Sequence, residues 1–185
     1  VPTTEMPTLA LAPSPPGSAI EDPPIGQMVG GRFLVERLLG TGGMGLVYKA
    51  VEQPTGRPVA LKVLRSDVRG DPQRVRARFL TEASAAARCH HPHLAEVYGA
   101  GDCQTGGLFL AMQYLSGPTL SEVLRGGAME AKEAARVGIA IARALHCLHR
   151  ADLVHRDVKP NNVLLAEIPD GAPSPMLLDL GIVLT

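Results

Sequence analysis

Five short apolar segments, bounded by glycine, proline or polar residues, occupy most of the chain between residues 33 and 115. FLVERLL, GLVYKAVE and RPVALKVL are separated by GTGGMG and QPTG, and LAEVYGAG and LFLAMQYL follow further on. Short runs rich in Val and Leu with turn residues between them are typical of antiparallel strands. The pattern predicts five antiparallel strands, and no helix fits between Leu39 and Pro58.

A helix is predicted between the third and fourth strands, at about residues 72–89. Val75, Phe79 and Ala83 recur at three- and four-residue intervals, as one face of a helix requires. Asp71 can cap the first turn, and Pro72 suits the first helical position.

The last third of the chain has the residue spacing of two helices, one short and one longer. Thr119 and Glu122 have capping-box spacing for a short helix at residues 120–124. A longer amphipathic helix is predicted over residues 129–149, with an apolar stripe of Ala134, Val137, Ile141, Leu145 and Leu148. VLLAEIPDGAPSPMLLDL then predicts two short strands around a proline-glycine turn.

Residues 1–27 have a different composition from the rest. They hold seven of the 16 prolines and no Lys or Arg. Runs such as APSPPG cannot hold a helix or a central strand, so a disordered or extended tail is expected.

Composition narrows the classes of partner. Eighteen Lys and Arg balance 18 Asp and Glu, and six aromatic residues include no Trp. A nucleic-acid binder that works by charge needs a basic excess, so no nucleic-acid partner is expected. The sequence contains no apolar run of about 18 residues, so no membrane-spanning segment is predicted. Three cysteines without a C-x-x-C pair favour a reducing, cytoplasmic compartment.

Gly40, Gly42 and Gly45 have G-x-G-x-x-G spacing in GTGGMG. A dinucleotide-binding Rossmann fold needs a helix straight after these glycines, whereas the predicted strand LVYKAV follows here. A glycine-rich hairpin lets backbone N–H groups approach phosphate oxygens without Cβ clashes. On this motif alone, a flexible hairpin and a phosphate-binding hairpin are equally open.

Lys62 lies inside the apolar run VALKVL, where a lysine requires an anionic partner. Glu82 of the following helix is a candidate, and a Lys62–Glu82 pair would hold the ammonium within reach of a phosphate. The alternative is that Lys62 lies at a sheet edge with its ammonium in solvent.

LVHRDVKPNNVLL contains an ordered set of polar side chains. Asp157 can accept or orient a hydroxyl proton in phosphoryl transfer, and Lys159 can neutralise charge on the transferred group. Asn162 can offer an oxygen to Mg²⁺. Further on, Asp179 follows an apolar strand and suits Mg²⁺ bound to nucleotide phosphates, although Asp-Leu-Gly is also an ordinary turn.

These signals occur in one order from Phe33 to Gly181, and here the sequence resembles the eukaryotic-like (Hanks-type) protein kinases, especially the bacterial Ser/Thr kinases. The resemblance implies ATP and Mg²⁺ as cofactors, a protein substrate with Ser or Thr, and a role in signal transduction. The catalytic residues it implies are Lys62, Glu82, Asp157 and Lys159, and the implied Mg²⁺ ligands are Asn162 and Asp179.

The same resemblance implies a nucleotide pocket. The glycine-rich hairpin would cover the phosphates, Met112 would be the gatekeeper of the hinge, and Val47, Ala60 and Leu164 would enclose the adenine ring. The residues assigned in this way are Leu39, Gly40, Gly42, Gly43, Gly45, Val47, Ala60, Lys62, Met112, Gln113, Tyr114, Leu115 and Leu164.

The expected fold is α+β and protein-kinase-like: a five-stranded antiparallel N-lobe with one helix, at about residues 28–115, and the start of a mostly helical C-lobe, at 116–185. The sequence stops at Thr185, before the activation segment of the family, so we expect the stripe of helix 129–149 to lose its cover. An active kinase, a non-catalytic ATP-binding or partner-binding remnant, and a small-molecule phosphotransferase remain as alternatives, in that order.

Overall fold

The structure, a computed structural model of the chain, describes residues 25–42, 45–64, 71–103, 107–169 and 171–178. Residues 1–24 of the expected tail, Gly43 of the glycine motif and Asp179 lie outside these ranges. The last two residues of the expected tail bond to β2. The Gly26 N–H donates to the Val35 carbonyl at 2.8 Å, and the Val35 N–H donates to the Gln27 carbonyl at 2.9 Å.

The five predicted strands are confirmed, and one further strand joins them. Among the described residues they form a sheet of six antiparallel strands in the order β1-β2-β3-β4-β6-β5. The strands are β1 Met28–Val29, β2 Phe33–Gly42, β3 Gly45–Glu52, β4 Arg57–Leu64, β5 Val97–Asp102 and β6 Leu108–Gln113. The sequence pattern missed β1 because two residues are too few to show alternation.

The three predicted helices are α1 Pro72–Ala86, α2 Leu120–Arg125 and α3 Ala131–His149. Asp71 caps α1 through a 3.0 Å bond from the Gln73 N–H, as expected. Thr119 and Glu122 form the predicted capping box of α2. None of the described helices has the length and apolar character needed to cross a membrane.

One hydrophobic cluster joins the sheet to α3. Phe79 of α1, Leu110 of β6, Ile141 and Leu148 of α3, and Leu177 all belong to it. The expectation that α3 would expose its stripe is wrong for Val137, Ile141 and Leu148, which are buried, whereas Ala134 at the start of the stripe is exposed. The large apolar residue of α3 that is exposed, Ile139, lies on another face. The cover comes from elements of this chain, among them the last strand, which packs on α3.

The two strands predicted around the proline-glycine turn form a hairpin, β7 Val163–Ala166 and β8 Ser174–Leu177. Leu177 at the end of β8 also bonds to the loop that follows α1. The Ala95 N–H donates to the Leu177 carbonyl at 2.9 Å, and the Leu177 N–H donates to the His93 carbonyl at 2.8 Å. These bonds tie the second half of the chain to the sheet.

Two glycines of the hairpin motif stand in different surroundings. Gly45 has φ +149°, and a Cβ there would lie 2.0 Å from the Val63 carbonyl oxygen, whereas a Cβ at Gly40 would meet nothing within 4 Å.

We therefore expect Gly45→Ala to lower the free energy of unfolding by about 2 kcal/mol or more, because the backbone of Gly45 or Val63 must move. Gly40→Ala, the matched control, should change it by less than about 1 kcal/mol. Urea unfolding of both variants measures the difference, and equal effects would contradict this account.

Candidate nucleotide and catalytic site

The register of the sheet brings the predicted pocket residues onto one face. Gly40 pairs with Val47, Val47 pairs with Lys62, and Ala60 pairs with Met112 across adjacent strands. Directly opposed residues point to the same face of a sheet, and so do Ala60 and Lys62, which are two positions apart on β4. The five residues therefore form a continuous patch across β2, β3, β4 and β6.

This patch is largely apolar and contains one lysine. Val47 and Ala60 are half-buried, Met112 is buried, and Lys62 is only 7% exposed. The open space beside Gly40 leaves its backbone accessible to a ligand. An apolar floor with one buried ammonium and an accessible backbone fits a base and its phosphates.

The segment after β6 is the predicted hinge. Gln113, the last residue of β6 and the first of the predicted hinge residues, donates its backbone N–H to the Glu96 carbonyl at 2.8 Å, so it cannot donate that N–H to a base. Leu115 packs with Leu164 in one small apolar cluster. The Tyr114 hydroxyl accepts a 3.4 Å bond from Arg37 of β2, which joins the hinge to the glycine-rich hairpin.

The segment after α3 is shaped by two consecutive residues that point in opposite directions. His155 is buried, and its Nε2–H donates to the Leu178 carbonyl at 2.9 Å, which leaves Nδ1 to accept the Asp157 N–H at 3.4 Å. Arg156 has φ +63°, an uncommon left-handed conformation for a residue with a side chain. Because of this turn, the Arg156 guanidinium lies at the surface, whereas the His155 imidazole is buried and bonded to Leu178.

Asp157 is the centre of a network formed with two of the other predicted residues. The Lys159 ammonium lies 2.7 Å from Asp157 Oδ2, and the Asn162 amide donates to the same oxygen at 2.9 Å and to the Asp157 carbonyl at 2.8 Å. The bond from Lys159, followed by that from Asn162, lowers the pKa of Asp157, although partial burial opposes the shift. Because the amide nitrogen of Asn162 is used here, its oxygen remains as an acceptor.

Glu82 has different partners from the one expected. Arg78, one turn earlier on α1, donates to its carboxylate at 3.0 Å, and Arg156 Nη1 lies 3.2 Å from Oε2. The structure thus pairs Glu82 with these arginines instead of Lys62. Sequence spacing did not show the Arg156 contact because it joins residues 74 positions apart, through a left-handed turn that no local pattern announces.

Comparison with protein families matches residues 33–184 to the protein kinase domain. The chain belongs to the protein kinase family. It is 40% identical over 148 residues to the serine/threonine-protein kinase PknA of Mycobacterium tuberculosis, a match that covers 77% of this chain and 34% of PknA. PknJ of the same species is 39% identical over 150 residues, covering 81% of this chain and 25% of PknJ.

Solved kinase domains share the fold described above. The crystal structure of the M. tuberculosis PknI kinase domain superposes with a TM-score of 0.75 at 32% identity, covering 86% of this chain and 62% of that domain. The chain therefore spans about a third of PknA and under two thirds of the PknI domain.

The Asp157 network predicts a measurable titration. Since Lys159 lowers the pKa of Asp157, Lys159→Met should raise that pKa toward the ordinary aspartate value of about 3.9. Carbon-detected NMR titration of the carboxyl group measures the change, with Lys132→Met on α3 as the matched control.

The sign of the linked effect on stability follows from the same shift. A pKa lowered in the folded state contributes stability that is present above the unfolded pKa and is lost as pH falls through the folded pKa. Wild type and the Lys132 variant should lose this contribution below about pH 4, and Lys159→Met should lack the part that Lys159 supplies. An unchanged Asp157 pKa in Lys159→Met would contradict the network.

Proposed function

We propose that this chain binds ATP with Mg²⁺ and carries the nucleotide pocket and catalytic loop of a serine/threonine protein kinase. The observation that carries the proposal is the network of Asp157, Lys159 and Asn162 in the segment after α3. It holds a carboxylate, an ammonium and an amide oxygen close together, and these are the groups that phosphoryl transfer to a hydroxyl uses.

The residues present fit the nucleotide and the metal. The open backbone at Gly40 and the buried ammonium of Lys62 suit phosphate oxygens, and the oxygen of Asn162 suits Mg²⁺. Asp179, the second ligand in the proposal, lies outside the described residues. Bound Mg²⁺-ATP would supply the phosphoryl group and neutralise part of its charge.

The side chains of this chain would position and charge-balance the reacting groups. Asp157, whose pKa lies below the ordinary aspartate value, is ionised at neutral pH, so it can accept a hydrogen bond from a Ser or Thr hydroxyl of a protein substrate. Lys159 is half-exposed and can turn toward an incoming anion while remaining near Asp157. Both roles are electrostatic and depend on a fixed geometry.

Glu82 supports a second candidate function. The kinase resemblance implies a Glu82–Lys62 pair, whereas the Glu82 carboxylate in this structure pairs with Arg78 and Arg156. A chain that keeps the Arg156 pair would bind nucleotide without transferring phosphate, which is the non-catalytic alternative. The wider proposal includes protein substrates in signal transduction and a reducing, cytoplasmic setting, which the free thiols of Cys89, Cys103 and Cys147 suit.

Nucleotide binding is tested directly by titrating the chain with a fluorescent ATP analogue, with and without Mg²⁺. We expect Mg²⁺-dependent binding that Lys62→Met weakens about tenfold or more, because a charged hydrogen bond contributes about 1.5–3 kcal/mol. Lys132→Met, on the outside of α3, should bind as wild type does. Equal affinity of both variants, or no binding by wild type, would contradict the proposal.

Phosphoryl transfer is tested with radiolabelled ATP and myelin basic protein as acceptor. Asp157→Asn should retain nucleotide binding and abolish transfer, because the amide cannot accept the hydroxyl proton. Binding by wild type without transfer would favour the non-catalytic alternative, and full transfer by Asp157→Asn would refute the assigned role.

A further inference from the structure

The sheet face proposed to bind nucleotide includes a row of four directly opposed residues. Arg37 of β2 pairs with Lys49 of β3, Lys49 pairs with Ala60 of β4, and Ala60 pairs with Met112 of β6. Opposed residues share a face of a sheet, so Arg37 and Lys49 lie on the same face as the pocket residues Ala60 and Met112. This face therefore carries two cations that the assigned pocket does not include.

Both cations contact Tyr114 of the predicted hinge. Arg37 Nη2 donates to the Tyr114 hydroxyl at 3.4 Å, and the Lys49 ammonium lies 5.6 Å from the centroid of the Tyr114 ring. The first contact is a long hydrogen bond to the polar tip of the side chain, and the second is a cation–π contact with the ring. One half-buried aromatic side chain thus contacts two neighbouring strands at once.

The strand that carries Arg37 is bent on both sides of this contact. The register of β2 against β3 shifts before Arg37 and again after Leu38, and Glu36 is the extra residue of the first bulge. The Glu36 carboxylate lies 2.8 Å from the Lys49 ammonium. Bulges bend a strand and increase its twist, so Arg37 stands between two bends, just before Gly40.

The half of β2 that carries Gly40 is an edge of the sheet. Within the described part of the chain, β2 pairs with β1 at Phe33 and Leu34, whereas from Arg37 to Gly42 its backbone partner is β3. An edge segment that bulges have bent has few backbone contacts to fix its angle to the sheet. The side-chain contacts with Tyr114 supply such a constraint.

Tyr114 itself stands on a fixed support. Gln113 before it belongs to β6 and donates its backbone N–H to Glu96, and Leu115 after it packs with Leu164. Because both neighbours are held, Tyr114 is the fixed side of these contacts. The edge segment of β2 is the side that they position.

We propose that Tyr114 is a positioning residue for the nucleotide site. By holding Arg37 and Lys49, its side chain sets the angle of residues 37–42 over the sheet face, and so the distance from the Gly40 backbone to the phosphates of a bound nucleotide. This inference rests on the proposed function. It adds that affinity for the phosphates, and not for the nucleoside, depends on the Tyr114 side chain.

The test compares a ligand that has phosphates with one that lacks them. Competition against a fluorescent ATP analogue gives the affinities of Mg²⁺-ATP and of adenosine for the full 185-residue chain. Tyr114→Leu removes both contacts without changing the charge of the site. It should weaken Mg²⁺-ATP about fivefold and change adenosine less than about twofold. Tyr114→Phe keeps the ring and loses only the bond from Arg37, so its effect should be intermediate.

Tyr98 provides the matched control. It is also half-buried, and Arg57 lies 3.6 Å from its ring centroid. It packs, however, with the cluster that contains Tyr48 and Ala50, the residues on either side of Lys49, and therefore on the opposite face of the sheet. Tyr98→Leu should bind both ligands as wild type does, and thermal unfolding of both leucine variants checks that they fold.

A double-mutant cycle isolates the Lys49 contact. Lys49→Met removes a cation near an anionic ligand, and this direct effect is the same with or without the Tyr114 ring, so it cancels in the cycle. The part that acts through Tyr114 remains. Lys49→Met should therefore weaken Mg²⁺-ATP less in the Tyr114→Leu background than in the wild type.

Three results would overturn the positioning role. Equal losses of adenosine and Mg²⁺-ATP affinity in Tyr114→Leu would mean that the ring contacts the nucleoside directly. Unchanged Mg²⁺-ATP affinity in that variant, or strictly additive effects of Lys49→Met and Tyr114→Leu, would mean that the contacts position nothing. Failure of the wild type to bind Mg²⁺-ATP is a separate result, which would overturn the proposed function and this inference with it.

Discussion

The backbone of Leu177 and Leu178, at the end of β8, holds the two halves of the chain together. Leu177 exchanges bonds with His93 and Ala95 of the loop that follows α1, and it is fully buried. Leu178 accepts from the buried His155 and donates its N–H to the Asn162 carbonyl at 2.8 Å. A break at this point would leave buried polar groups unsatisfied on both sides, which is more costly than losing a single bond. The sheet and the segment after α3 are therefore positioned relative to each other by the main chain of Leu177 and Leu178 together with the imidazole of His155.

The same junction explains why the segment after α3 can adopt strained backbone at Arg156. Arg156 has left-handed φ, which costs of the order of 1 kcal/mol or more for a residue with a side chain. His155 on one side is bonded to Leu178, and Asn162 on the other side bonds both the backbone and the carboxylate of Asp157. With both flanks fixed, the segment between them has few other conformations. The orientation of Asp157 follows from this arrangement as much as from its own contacts.

Local patterns predicted the elements of this fold well, and long-range partners poorly. The Asp71 and Thr119 caps and the strand alternation depend on neighbours within a few residues, so the sequence contains all the information they need. The face shared by Val47, Lys62 and Met112 also follows from alternation once the strands pair in order. By contrast, β1 is too short to show a period. The cover of the α3 stripe depends on β8 packing across it, and the partner of Glu82 depends on the turn at Arg156, neither of which leaves a local signature.

Glu82 and Asp157 show how a site can combine an exchangeable ion pair with a fixed one. Asp157 is held by residues two and five positions away, so forming its network closes only a short loop and costs little entropy. Glu82 is held by Arg78 on its own helix and by Arg156 from a distant segment, whose side chain is partly in solvent. Partly exposed ion pairs contribute little net free energy, so exchanging Arg156 for another cation is inexpensive. The Asp157 network is thus held by local contacts, whereas the Glu82 pair depends on a long-range contact with Arg156.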